Sequence, residues 1–150
     1  MFKKAGIMID VASTSTLASV GEDGLKVKPD LSLKEVKIEK YDAIVLVGGR
    51  GVVENGLPEN PTLQDIVKKA AFENKVIAAI CLAPRILAKS EVIKDKILTS
   101  WRDMDSIEMI EKSGGTYIRE PVVVDGNMVT ADGPASARRF AESIIDVLTR

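Results

Sequence analysis

The chain has 150 residues, 45% hydrophobic and 29% charged, with a net charge of −1 and no histidine. That length is enough for one domain, residues 1–150, with a proper buried core. The balanced charge gives no electrostatic case for nucleic acid or an anionic membrane surface as partner. No apolar run is long enough to span a bilayer, and the N-terminus lacks a signal-peptide pattern. One cysteine without histidine offers neither an internal disulfide nor a zinc-type ligand set, so no metal and no cofactor is expected, and the expected location is the cytoplasm.

In chain order, "GIMIDVAS" (6–13) reads as a strand, with Asp10 at its end expected to face solvent. The polar, glycine-bearing "TSTLASVGEDG" reads as loop or ribbon turn, and "LKVK" (25–28) as a short strand. "AIVLVGG" (43–49) and "VIAAIC" (76–81) are near-continuous apolar runs, as expected of parallel strands covered on both faces. Between them "NPTLQDIVKKAAFENK" reads as a helix, capped by Asn60 with Pro61 in its first turn. Its apolar stripe is Leu63, Ile66, Val67, Ala70 and Ala71. The result is a β-α-β unit and hence a sheet that is at least partly parallel. Downstream, "KILTSW" suggests a short strand. "DMDSIEMIEKSGG" reads as a helix with Met104, Ile107 and Ile110 inward, stopped by Gly114 or Gly115. "PVVVDGNMVTA" carries Asp125-Gly126 between two apolar arms, a hairpin signal. "PASARRFAESIIDVLTR" closes the chain as a helix burying Phe140, Ala141, Ile144 and Leu148.

Ligands of open parallel sheets bind beyond the carboxyl ends of the strands. Two loops lie there: "GGRG" after the first buried strand and "CLAP" after the second. "GGRG" lacks phosphate-loop spacing and no helix is expected directly after it. Cys81, on a strand-to-helix corner, stands where a helix dipole and free N–H groups favour a thiolate. Glycines at 48 and 49 allow close backbone approach. The N–H groups of Gly49 and Leu82 could then form an oxyanion pocket beside the sulfur. The plainer readings are a small buried cysteine and a simple Gly-Gly turn.

The ordered set "AIVLVGG", "VIAAICLAPRILAKSEVIKDKILTS" and "EPVVVDGNMVTADGPASARRFAESIIDVL" resembles the DJ-1/PfpI family, whose elbow reads A-A-I-C-x-G/A-P. Its last segment looks like the family's hairpin and closing helix and is close in pattern to the intracellular protease PfpI branch. The resemblance implies a flavodoxin-like three-layer α/β/α sandwich of the class I glutamine amidotransferase type, with a mainly parallel sheet and a C-terminal hairpin. It places the elbow cysteine at Cys81, the pocket glycines at Gly48 and Gly49, and the second oxyanion amide at Leu82. It also implies self-association, most simply as a homodimer.

The departures from the family pattern carry chemistry. The protease-like branch has histidine where Leu82 stands, and DJ-1-like members have one aligned with Ser100. Without either imidazole, a Cys-His protease mechanism cannot operate. The start "MFKKAGIMIDVAS" resembles the end of the family's first helix and its second strand. The preceding βα unit, with its sulfur-bonding glutamate, has no counterpart here, so the fold is expected to be N-terminally truncated. Three arrangements follow: a fragment of a longer chain, "GIMIDVAS" sliding into the central sheet position, or a second copy covering the gap. The expected functions are a cysteine-dependent action on small reactive carbonyls, of glyoxalase or deglycase type; a non-catalytic redox or stress-response thiol that oxidises to a sulfinate; or an inactive family member.

Overall fold

The computed structural model describes residues 1–21 and 23–150. Its centre is a sheet of four strands in the order β5-β6-β10-β9: Ala43–Leu46, Val76–Ile80, Met128–Ala131 and Val122–Asp125. β5, β6 and β10 run parallel, and β9 joins β10 antiparallel. Every residue of β6 is buried, which its unbroken apolar run dictates for a strand with neighbours on both edges and helices on both faces.

Alternation along β6 divides the core into two layers. Ile77 and Ala79 pack with Leu63, Val67 and Ala70 of α2 (Pro61–Phe72), with Ile86 and Leu87 of α3 (Pro84–Lys89), and with Ile110 of α4 (Met104–Lys112). Val76, Ala78 and Ile80 pack on the other side with Phe140, Ile144 and Val147 of α5 (Ala137–Leu148). The expected α/β/α layering is therefore present, with β6 at its middle. Asn60 caps α2 by accepting from the Leu63 N–H at 3.0 Å. Asp103 does the same for α4, accepting from the Ser106 N–H at 2.7 Å.

Several expectations are corrected. β5 is not covered on both sides: among the described residues it pairs only with β6, leaving Val45 37% and Val47 72% exposed. "GIMIDVAS" does not slide in beside it. Only β1 (Ala12–Ser13) is a strand, paired parallel with β4 (Leu31–Ser32) in a separate two-stranded sheet. Residues 7–11 belong to no strand ladder, and Met8 is 97% exposed. A side-chain bond ties this segment to the residues just before β5: the Tyr41 hydroxyl donates to Asp10 Oδ2 at 2.7 Å. That carboxylate raises the Tyr41 phenol above its usual range. The bond belongs to the protonated phenol, so whatever it contributes to stability is present at neutral pH. It is lost as pH rises through the elevated folded value.

The polar stretch before "LKVK" is the ribbon form: β2 (Ser19–Val20) pairs antiparallel with β3 (Lys26–Val27). Glu22 in that stretch lies outside the described residues. A short helix, α1 (Gly51–Glu54), does follow "GGRG" directly. Its glycine start and four-residue length left no helical period to read. Ala71 is exposed, Met104 is 77% exposed at the first position of α4, and Val147 takes the buried place in the last turn of α5, with Leu148 half-buried. The hairpin turn is centred on Gly126-Asn127, one residue later than expected, because Asp125 pairs with Met128. Gly126 supplies the positive φ, 61°, that a two-residue hairpin turn requires. β7 (Ile97–Leu98) and β8 (Thr116–Tyr117) form a short parallel pair. The Thr99 N–H, just past β7, donates to Thr130 Oγ1 of β10 at 3.0 Å.

Candidate functional site

β6 ends at Ile80 and the chain turns sharply at Cys81, whose φ of 62° lies in the left-handed region. For a residue with a Cβ this conformation costs about 1–2 kcal/mol, so something must hold it. Two backbone bonds do. The Cys81 N–H donates to the Ala131 carbonyl at 2.9 Å, and the Cys81 carbonyl accepts from the Trp101 N–H at 2.8 Å. The first ties the corner to the end of β10, and the second ties it to the segment after β7. A strained corner fixed on both sides holds its side chain in one place, and such strain collects at functional sites.

The helix expected immediately after Cys81 begins three residues later, at Pro84, and is six residues long. Residues 81–83 are a turn, with the Ala83 N–H donating to the Ile80 carbonyl at 3.1 Å. Among the described residues, the N–H groups of Leu82 and Gly49 have no backbone acceptor.

The β5 side approaches very closely. A Cβ added to Gly48 would lie 2.5 Å from Cys81 Cβ, 2.6 Å from the Ile80 carbonyl oxygen and 3.4 Å from the sulfur. Only glycine allows the end of β5 to lie against the elbow in this way. Gly49 then turns with φ 109°, and Arg50 stands at the N-cap position of α1 without a side-chain cap bond.

Gly48, Gly49, Cys81 and Leu82 therefore line one cavity, of about 550 Å³, together with Ile80, Arg50, Trp101 and Pro134. The four residues singled out from sequence come together. Arg50, Trp101 and Pro134 were not singled out. Arg50 was legible as the charged residue of "GGRG", and Trp101 as the lone tryptophan just past a strand end. Ser100, the position aligned with a family histidine, is fully buried and its hydroxyl donates to the Trp101 carbonyl at 3.1 Å. It does not line the cavity.

Behind the elbow, α3 is locked to α4 by Arg85, which is only 9% exposed. Its Nε donates to Ser106 Oγ at 2.8 Å and its Nη2 to Asp103 Oδ1 at 2.9 Å. Arg85 is thus a positioning group for the helix that follows Cys81, not a lining residue.

No helix among the described residues is long and apolar enough to cross a membrane. The profile of the DJ-1/PfpI family matches residues 1–147. The deglycase PfpI of Pyrococcus furiosus is 33% identical over 146 residues, covering 97% of this chain and 86% of that protein. The glutathione-independent glyoxalase DJR-1.2 of Caenorhabditis elegans is 27% identical, over 97% of this chain and 75% of that protein. The crystal structure of a ThiJ/PfpI domain protein from Brachyspira murdochii superposes with a TM-score of 0.92 at 30% identity, covering 99% of this chain and 83% of the other. With the flavodoxin-like architecture shared and almost the whole chain matched, the protein belongs to the DJ-1/PfpI family.

Proposed function

We propose that the protein is a cytoplasmic cysteine-dependent catalyst acting on small reactive carbonyls, with Cys81 as nucleophile and the Gly49 and Leu82 N–H groups as oxyanion donors. The observation that carries this reading is the left-handed Cys81, clamped by two backbone bonds at the wall of a cavity. An ordinary buried cysteine needs no such conformation. Relatives named as a glyoxalase and a deglycase support the substrate class.

In the reaction with methylglyoxal the Cys81 S–H adds across the aldehyde. The S–C bond forms, the carbonyl π pair moves to oxygen, and the thiol proton ends on that oxygen. The developing oxyanion is what Gly49 and Leu82 would hold. Transfer of hydrogen from C1 to C2, through solvent and an enediol, gives a lactoyl thioester, and water releases lactate and the free thiol. Overall, one carbon is oxidised and its neighbour reduced, with one water consumed.

No histidine or carboxylate lines the Cys81 cavity among the described residues, so proton transfer has no side-chain catalyst there. A positioned acid–base group is worth about 10²–10⁴-fold. The expected turnover is therefore slow by that factor against an enzyme that has one, and peptide hydrolysis is not expected. Lactate formation from methylglyoxal is expected to fall to the uncatalysed level in Cys81→Ser. Equal rates in the two proteins reject the proposal.

A further inference from the structure

Four of the residues that line the cavity with Cys81 are apolar: Ile80, Leu82, Trp101 and Pro134. At about 550 Å³ the cavity is of the size that takes drug-sized ligands. A three-carbon aldehyde held at Cys81 would leave most of that wall uncovered. Trp101 is the lone tryptophan of the chain and is 48% exposed. A single exposed apolar residue is ordinary on a protein surface, but this one is bonded to the residue that carries the thiol. Its main-chain N–H donates to the Cys81 carbonyl at 2.8 Å, and its carbonyl accepts from the Asp103 N–H at 3.0 Å. The edge of its six-membered ring, Cε3 and Cζ3, rests against Gly133, in the space that a side chain there would take. Pro134 follows Gly133, and both Trp101 and Pro134 also line the smaller cavity alongside. The indole is thus a flat apolar platform, seated on Gly133 and joined through its own backbone to the elbow.

We propose that Trp101 makes this cavity selective for aldehydes that carry an aromatic ring, which stacks on the indole while the carbonyl carbon is held at Cys81. Two aromatic rings attract one another beyond the area they bury, which a short aliphatic chain cannot match. The inference rests on the carbonyl-addition reading above and adds its substrate class. Cys81 S–H adds across the aldehyde: the S–C bond forms, the carbonyl π pair moves to oxygen, and the thiol proton ends on that oxygen. Nothing is oxidised or reduced, and the adduct reverses to free thiol and aldehyde.

The test uses the intact chain and the neutral alkylating reagent iodoacetamide, which reads Cys81 alone because the chain has one cysteine. The concentration of aldehyde that halves the alkylation rate is measured for phenylacetaldehyde and for acetaldehyde. Each value is divided by that for N-acetylcysteine to remove intrinsic reactivity. Ring burial and stacking are expected to let phenylacetaldehyde protect at a concentration about tenfold lower than acetaldehyde. The preference is expected to fall to about threefold in Trp101→Leu, which keeps apolar bulk, and to persist in Trp101→Phe, which keeps a flat ring. The bond from residue 101 to Cys81 is main-chain, so neither substitution removes it. Equal protection by the two aldehydes, or a preference unchanged in Trp101→Leu, overturns the role of Trp101 while leaving carbonyl addition standing. Protection by neither aldehyde overturns carbonyl addition and the proposal with it. 2-Phenylethanol, which has the ring without the carbonyl, reads the platform by itself: it is expected to shift the fluorescence emission of Trp101. An unshifted spectrum overturns the aromatic subsite whatever the thiol does.

Discussion

Gly48→Ala is expected to lower stability by about 3 kcal/mol, the upper part of the range for overpacking, and to disable Cys81. The new methyl would sit 2.5 Å from Cys81 Cβ and 2.6 Å from the Ile80 carbonyl oxygen. Neither is the free end of a flexible side chain. The Ile80 carbonyl lies at the end of the fully buried strand β6, and Cys81 is tied to Ala131 and Trp101. The strain must be relieved by β5 moving off β6, at the cost of the Leu46–Ala79 pairing. For a chain of this size that loss corresponds to a fall in Tm of roughly 6–12 °C. Gly133 offers the contrast, since a Cβ there meets only the Trp101 ring at 3.1 Å and 3.2 Å, and a side chain can yield. Denaturant unfolding of Gly48→Ala within 1 kcal/mol of the parent would show that the end of β5 does not lie against the elbow as described.

The second large effect is at Arg85. Arg85→Ala removes a buried guanidinium and leaves Ser106 Oγ and Asp103 Oδ1 without it. Breaking a buried ion pair on one side costs about 3–5 kcal/mol. Asp103 is 31% exposed and can turn to water, so the low end, about 3 kcal/mol, is expected here. Asp103 also caps α4, so the loss spreads to the start of that helix. Asp103→Asn keeps a capping oxygen and removes only the charge, and it should cost less than half as much. A Tm for Arg85→Ala within 2 °C of the parent would mean that the α3–α4 link is not what holds the helix behind Cys81.

How much of this could be read from the sequence depended on how local each cause was. "VIAAIC" showed a buried strand because β6 has neighbours on every side, so its composition and its environment agree. "AIVLVGG" has the same composition, yet Val45 and Val47 are exposed. The burial of a strand depends on what lies beside it, and that is not written in the strand. The elbow was legible because a strand ends on cysteine with proline three residues on, and Gly48-Gly49 was legible as a close approach. The clamp was not, since it comes from carbonyl and N–H groups of residues 131 and 101, distant in sequence and silent about their bonding. Trp101 and Arg50 enter the cavity for the same reason: the topology brings three strand ends together. Met104 looked inward by helical period, but the first residue of α4 lies outside the layer that Ser106 and Ile110 bury.

The central claim is that Cys81 forms a covalent adduct with a small carbonyl, and the most direct measurement is carbon NMR of the protein mixed with ¹³C-labelled methylglyoxal. A hemithioacetal resonance is predicted for the intact chain and none for Cys81→Ser. Identical spectra for the two proteins would contradict the account.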